Sequence, residues 1–181
     1  ELFKWEHTKH LTYSICTGTE KERLIALNKD TDIYIINQEN IEWMYKKGFR
    51  KYGMIIVDES HCFKDYASKR FKSLKKFVSK YTVLLTGTPM PKNYLDMWAQ
   101  QFLIDRGELL GKNITTYINE YFIYNSRRFE YYCIAPDIIA DKLKSCWLSM
   151  KSEDYLELPD KIMNNISVEI DGFKEYKKFE K

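Results

Sequence analysis

Residues 54–61 read Met54-Ile55-Ile56-Val57-Asp58-Glu59-Ser60-His61, an unbroken apolar run that passes straight into two acids. A fully apolar run suits a strand buried on both faces, as strands of a parallel sheet are. The acids then fall at the carboxyl end of that strand, the edge of an open α/β sheet where ligands bind. A second run, Val83-Leu84-Leu85, leads in the same way into Thr86-Gly87-Thr88-Pro89 and brings hydroxyls and a glycine to an edge. Thr86 follows Asp58 by 28 positions, close to the ~30 residues of one βαβ unit, so the two strand ends are expected to be neighbours.

Working outward, short β-branched runs predict further strands over 12–16 and 32–36, besides 54–57 and 82–85. Helical segments separate them. Thr19 and Glu22 form a capping box that starts a helix just after Gly18, with Leu24, Ile25 and Leu27 as its apolar face. Ile41, Met44 and Tyr45 mark the next. Ala67, Phe71, Leu74 and Val78 make one apolar stripe, predicting a helix over 67–78 with Lys69, Lys72, Lys76 and Lys80 on its wet side. After Pro89 and Pro91, Asn93 and Asp96 start a helix that buries Leu95, Trp98, Ala99 and Phe102. Strand and helix in regular alternation give an α/β fold with a mostly parallel sheet and flanking helices. Beyond Gly107 the pattern changes to a helix over 114–124, an aromatic and basic loop over 125–132, a helix over 138–148, a break at Leu158-Pro159 and a half-exposed strand over 166–170. Three regions follow: a core over 1–105, a helical and aromatic extension over 106–160, and a passage onward over 161–181.

Composition narrows the class. With 44% hydrophobic, 15% aromatic and 30% charged residues, the chain is a folded soluble domain rather than a disordered or collagenous one. Its apolar runs fall far short of the ~18 residues of a membrane span. A formal charge of +3 permits nucleic-acid binding without implying it. Cys16, Cys62, Cys133 and Cys146 contain no C-x-x-C pair and read as reduced thiols of a cytosolic protein. His7 and His10 have no cysteine or acid beside them to complete a zinc site. A chain that opens on Glu1 without a secretory signal is expected to be a piece of a longer polypeptide.

The chemistry suited to this edge is phosphoryl transfer from a nucleoside triphosphate. Asp58 at the strand end can hold Mg²⁺, and Glu59 can orient and polarise the attacking water. Thr86 and Thr88 can bond to the acids or to the γ-phosphate, Gly87 lets backbone pass close to its neighbours, and His61 can relay the state of the site.

Taken together, these residues resemble the SWI/SNF (sucrose-nonfermenting) type helicase-like ATPases of helicase superfamily two, including their compact phage and bacterial members. Asp58-Glu59-Ser60-His61 is similar to the family's Asp-Glu-x-His box, and Lys64-Asp65 to the Lys-Asn that follows it. Leu85 to Pro89, then Asn93 and Leu95-Asp96-Met97-Trp98, resembles motif III and its helix. Ile35-Ile36-Asn37-Gln38-Glu39 resembles motif Ib, with Gln38 at an aromatic position, and Lys4-Trp5 the end of motif Ia. The resemblance implies a RecA-like lobe of a monomeric, ATP- and Mg²⁺-dependent motor on double-stranded DNA, completed by a second RecA-like lobe toward which 158–170 lead. It implies a cytoplasmic setting in a bacterial or phage-infected cell.

No G-x-x-x-x-G-K-[ST] occurs, since residues 107–113 (GELLGKN) are one spacer short and end in Asn. The first strand and the phosphate-binding loop are therefore expected upstream of Glu1, and the chain alone is expected not to hydrolyse ATP. Candidate DNA contacts are Asn37, Gln38, Lys64, the basic run over 46–51, and Arg127 and Arg128 with Phe129, Tyr131 and Tyr132. The basic residues over 69–80 read as the solvated side of a helix. A non-catalytic α/β module that binds nucleic acid or protein is the alternative. A metal-dependent nuclease is weaker, for want of further carboxylates at strand ends.

Overall fold

Thr12 and Asp32 stand 20 positions apart, yet they tie the starts of the first two strands together. The Asp32 carboxylate accepts from the Thr12 amide at 2.8 Å and its hydroxyl at 2.7 Å. In the computed structural model, which describes residues 4–88, 93–150, 164 and 166, this contact opens the first of two βαβ units. Strand β1 (Tyr13–Cys16) passes through α1 (Glu20–Leu27) to β2 (Ile33–Ile36), paired in parallel from Tyr13↔Ile33 to Cys16↔Ile36. After α2 (Ile41–Lys46), β3 (Lys51–Val57) passes through α3 (Lys69–Leu74) to β4 (Val78–Leu84), in parallel register from Lys51↔Val78 to Val57↔Leu84. Helices α4 (Leu95–Asp105) and α5 (Ile114–Tyr121), the hairpin of β5 (Phe122–Asn125) and β6 (Glu130–Cys133), and α6 (Pro136–Leu143) follow. The chain divides into two compact units, Glu1–Cys146 and Trp147–Lys181.

Local signals explain most of these boundaries. Thr19 and Glu22 make the expected reciprocal cap on α1. Ser68 caps α3 by accepting from the Phe71 amide, and Asn113 caps α5 by accepting from the Thr116 amide at 2.8 Å. Pro136 sits in the first turn of α6, where its missing N–H costs nothing.

Three expectations need correction. The helix expected over 67–78 is shorter: α3 ends at Leu74 and Val78 already belongs to β4, its amide donating to the Arg50 carbonyl at 2.7 Å. Ladder pairing overrides the helical stripe here, and the Arg106 guanidinium caps the turn by donating to the carbonyls of Lys75 and Phe77. The loop expected over 125–132 is mostly hairpin, because Phe122 to Asn125 and Glu130 to Cys133 are aromatic and branched enough to pair antiparallel. Its turn is fixed by Asn125 Oδ1, which accepts from the Arg127 and Arg128 amides. The neighbouring helices are accordingly shorter than read, α5 stopping at Tyr121 and α6 at Leu143. Finally, β3 is covered on one face only: Val57 is buried, while Met54 and Ile56 are 51% and 62% exposed. Tyr13, Ile15, Ile35, Tyr81 and Val83 are open in the same alternating way, so among the described residues each strand pair has a face that carries no layer. Leu158-Pro159 and the strand expected over 166–170 lie outside the described residues, save Ile166, which is in neither helix nor strand.

The four parallel strands form two pairs, and β2 and β3 meet through side chains. The Tyr34 and Tyr52 rings stand edge to face at 6.3 Å, and burial pushes the Tyr52 hydroxyl up to about 12. The covered side centres on Trp98 of α4, against Tyr66, Phe71 and Phe102, with its indole N–H donating to the Gly111 carbonyl at 3.1 Å.

Trp98→Ala should cost about 3–5 kcal/mol in chemical denaturation, the range for emptying a buried aromatic site. Asp32→Ala tests the strand tie differently. The Thr12 amide and hydroxyl hold the Asp32 carboxyl below its ordinary pKa, so its contribution is present at neutral pH and is lost as pH falls through that lowered value. The melting-temperature gap between wild type and Asp32→Ala should be open at pH 7 and close in acid.

Candidate active site

The β3–β4 ladder continues one step past both strands. The Leu85 amide donates to the Val57 carbonyl at 2.8 Å, and the Ser60 amide to the Leu85 carbonyl at 2.9 Å. Asp58-Glu59 and Thr86 are thereby brought to one rim, as the spacing of the two apolar runs implies. Asp58 is exposed, and its Oδ1 accepts from the Glu59 amide at 2.9 Å. His61 touches both strand ends: its Nδ1 lies 3.1 Å from Glu59 Oε2 and 3.4 Å from Thr86 Oγ1. Thr86 Oγ1 also accepts from the Thr88 amide at 3.1 Å.

Glu59 itself sits at φ 50°, ψ 49°, left-handed backbone that a side chain disfavours and that persists only when its surroundings enforce it. Three elements supply the enforcement. Gln38 Nε2, from the 3-10 turn after β2, donates to the Asp58 carbonyl at 2.5 Å. Leu85, the residue after β4, takes the Ser60 amide. The Ser60 hydroxyl, wholly buried, donates to Gln100 Oε1 of α4 at 2.9 Å, and Gln100 Nε2 donates to the Asp96 carbonyl.

Ser60 and Gln100 are functional-site residues that the sequence reading passes over. Their signal is present, since Gln100 and Gln101 are polar yet buried among Met97, Trp98, Ala99 and Leu103 on α4. Gly87 departs from expectation: among the described residues a Cβ there would meet nothing within 4 Å, so no described neighbour demands a glycine. Lys64 lies beside the rim with its Nζ 3.9 Å from Asp96 Oδ2. Asn37 is exposed at the head of the turn that holds Gln38. Arg127 and Arg128 are placed elsewhere, on the β5–β6 turn, where Arg128 Nη1 donates to the Tyr132 hydroxyl at 3.1 Å. Among the described residues no three His, Cys, Asp or Glu side chains gather to hold a metal, His7 and His10 included. The four cysteines are free. No described helix is long and apolar enough to cross a membrane.

The sequence model of the SNF2-related domain matches residues 1–175. The chain belongs to the SNF2-related family. The p41 protein of Acyrthosiphon pisum secondary endosymbiont phage 1 is 30% identical over 186 residues, an alignment that takes in 94% of this chain and 40% of that protein. The CHD3-type chromatin-remodeling factor CHR7 of Arabidopsis thaliana is 42% identical over 55 residues, 30% of this chain and 5% of its own. Helicase swr1 of Schizosaccharomyces pombe is 34% identical over 55 residues, 30% and 4% respectively. The SWI2/SNF2 ATPase core of Sulfolobus solfataricus, solved in complex with dsDNA, superposes with a TM-score of 0.57 at 24% identity, over 66% of this chain and 24% of that one. The RecA-like α/β fold is thus shared with that ATPase core. The chain spans at most 40% of the length of these relatives.

Gln100→Leu should destabilise the fold by about 1–3 kcal/mol in urea, because it strands the buried Ser60 hydroxyl. Adding Ser60→Ala to that variant should recover part of the loss, a non-additivity expected of groups in direct contact.

Proposed function

We propose that this chain forms part of the ATP-binding lobe of a DNA-dependent ATPase that tracks along duplex DNA. The observation that carries the reading is the convergence of Asp58, Glu59 and Thr86 on one rim through the β3–β4 ladder, with His61 in reach of both strand ends. The donor set suits magnesium, a hard cation that asks a protein for only one or two carboxylates and takes its remaining ligands from phosphate and water. Asp58 would hold the ion, which when bound offsets charge on the β- and γ-phosphate oxygens. Glu59 orients the attacking water and receives its proton, the role its exposed carboxylate and clamped backbone serve. His61, shared between Glu59 and Thr86, keeps the acid aligned with the second strand end. Thr86 and Thr88 offer hydroxyls to the acids or to the γ-phosphate.

Kinship with a named helicase and a chromatin-remodeling factor supports the motor reading, and the dsDNA held by the Sulfolobus core supports the choice of track. Asn37, Lys64, Arg127 and Arg128 are the proposed phosphate contacts, and a second RecA-like lobe of the same polypeptide is the proposed partner. The whole protein acts as a monomer in the cytoplasm of a bacterial or phage-infected cell on this reading.

In the full-length protein, Glu59→Gln should lower the rate of ATP hydrolysis by about 10²–10⁴-fold, the usual contribution of a general base, while ATP affinity is retained. Turnover at the wild-type rate would assign the acids to surface charge and favour a non-catalytic binding module. Residues 1–181 alone should show neither hydrolysis nor micromolar ATP binding by calorimetry.

A further inference from the structure

We infer that Gln38 is a positioning residue for the acidic pair, coupling the turn after β2 to the backbone that aims Glu59. This assignment rests on the motor reading above. The Asp58–Glu59 peptide is held at both of its polar ends. Its N–H donates to the Asp58 carboxylate at 2.9 Å, and its C=O accepts from Gln38 Nε2 at 2.5 Å. A peptide plane pinned in this way sets φ of Glu59, the residue in left-handed conformation. The Ser60 side of Glu59 is fixed separately, by Leu85 and Gln100. Gln38 is therefore the only one of these clamps that comes from the β1–β2 half of the unit, and β2 shares no ladder with β3 through which another could act.

The turn that carries Gln38 is itself braced. Glu39 accepts from Arg70 of α3 at 3.2 Å, and the Asn40 amide closes the turn by donating to the Asn37 carbonyl at 3.0 Å. Asn37 immediately precedes Gln38 and is exposed. A polyanion resting on Asn37 presses on a short, closed turn whose next side chain ends on the Asp58 carbonyl. Without the Gln38 donor the strained peptide is free to rotate toward an ordinary conformation, which carries the Glu59 carboxylate away from His61. Gln38 thus spends its amide inward, on the acidic pair, rather than outward on DNA.

The test compares wild type and Gln38→Met in the full-length protein, measuring ATP turnover with and without duplex DNA, KM for ATP and Kd for the duplex. Gln38→Met keeps the side chain's length and loses its donor. The expected result is a fall of at least about fivefold in DNA-stimulated kcat, the lower end of typical coupling between sites, with KM and Kd held within about twofold, the signature of a lost positioning effect rather than lost binding. Wild-type protein without DNA-stimulated turnover would overturn the motor reading itself. Stimulated wild type with an indistinguishable Gln38→Met would overturn this inference alone. So would a variant that loses duplex affinity yet reaches full kcat at saturating DNA, which would make Gln38 a direct contact. If the variant melts below the assay temperature, hydrogen exchange of the wild type decides: added duplex should slow exchange over residues 57–61, and unchanged exchange there would overturn the coupling.

Discussion

A parallel ladder between two strands separated by one short helix fixes where every polar group of the site stands. Parallel strands both end at the same edge, so whatever follows Val57 must face whatever follows Leu84. The Ser60 amide extends this pairing beyond the regular strand by reaching the Leu85 carbonyl, and the intervening acid is left in a tight, left-handed corner. Such a corner cannot persist by local preference. It is imposed by contacts from β4, α4 and the turn after β2, which is why residues distant in sequence share responsibility for one carboxylate.

The sequence is most legible where local chemistry and tertiary demand agree. The capping box at Thr19 and Glu22 marks the start of α1 to the residue, and the apolar runs ending at Val57 and Leu85 locate the two strand ends and their adjacency. It misleads where the two conflict. Ala67, Phe71, Leu74 and Val78 share a helical spacing, yet Val78 is drawn into the ladder by the Arg50 carbonyl, a demand no window of the sequence contains. The aromatic stretch after Tyr121 reads as the end of a helix and then a loop, and only the register Phe122↔Cys133 makes it a hairpin.

Polar residues in the interior are the hardest to foresee. Ser60 reads as the variable letter of an acidic box, and Gln100 as an ordinary helical residue, but burial turns them into mutual partners. Once sealed from water, each needs the other. Gln38 stands between these cases: its position in the turn after β2 can be read from the sequence, while the carbonyl it serves, 20 residues away, cannot.

The open faces that the β1–β2 and β3–β4 pairs show among the described residues carry a practical meaning for anyone handling this polypeptide. Ile15 and Ile35 on the first strand pair, and Met54, Ile56, Tyr81 and Val83 on the second, are exposed apolar side chains. Exposed apolar side chains that neighbour one another on paired strands favour self-association. Purified residues 1–181 are therefore expected to stay monodisperse only with a solubilising fusion or a mild detergent.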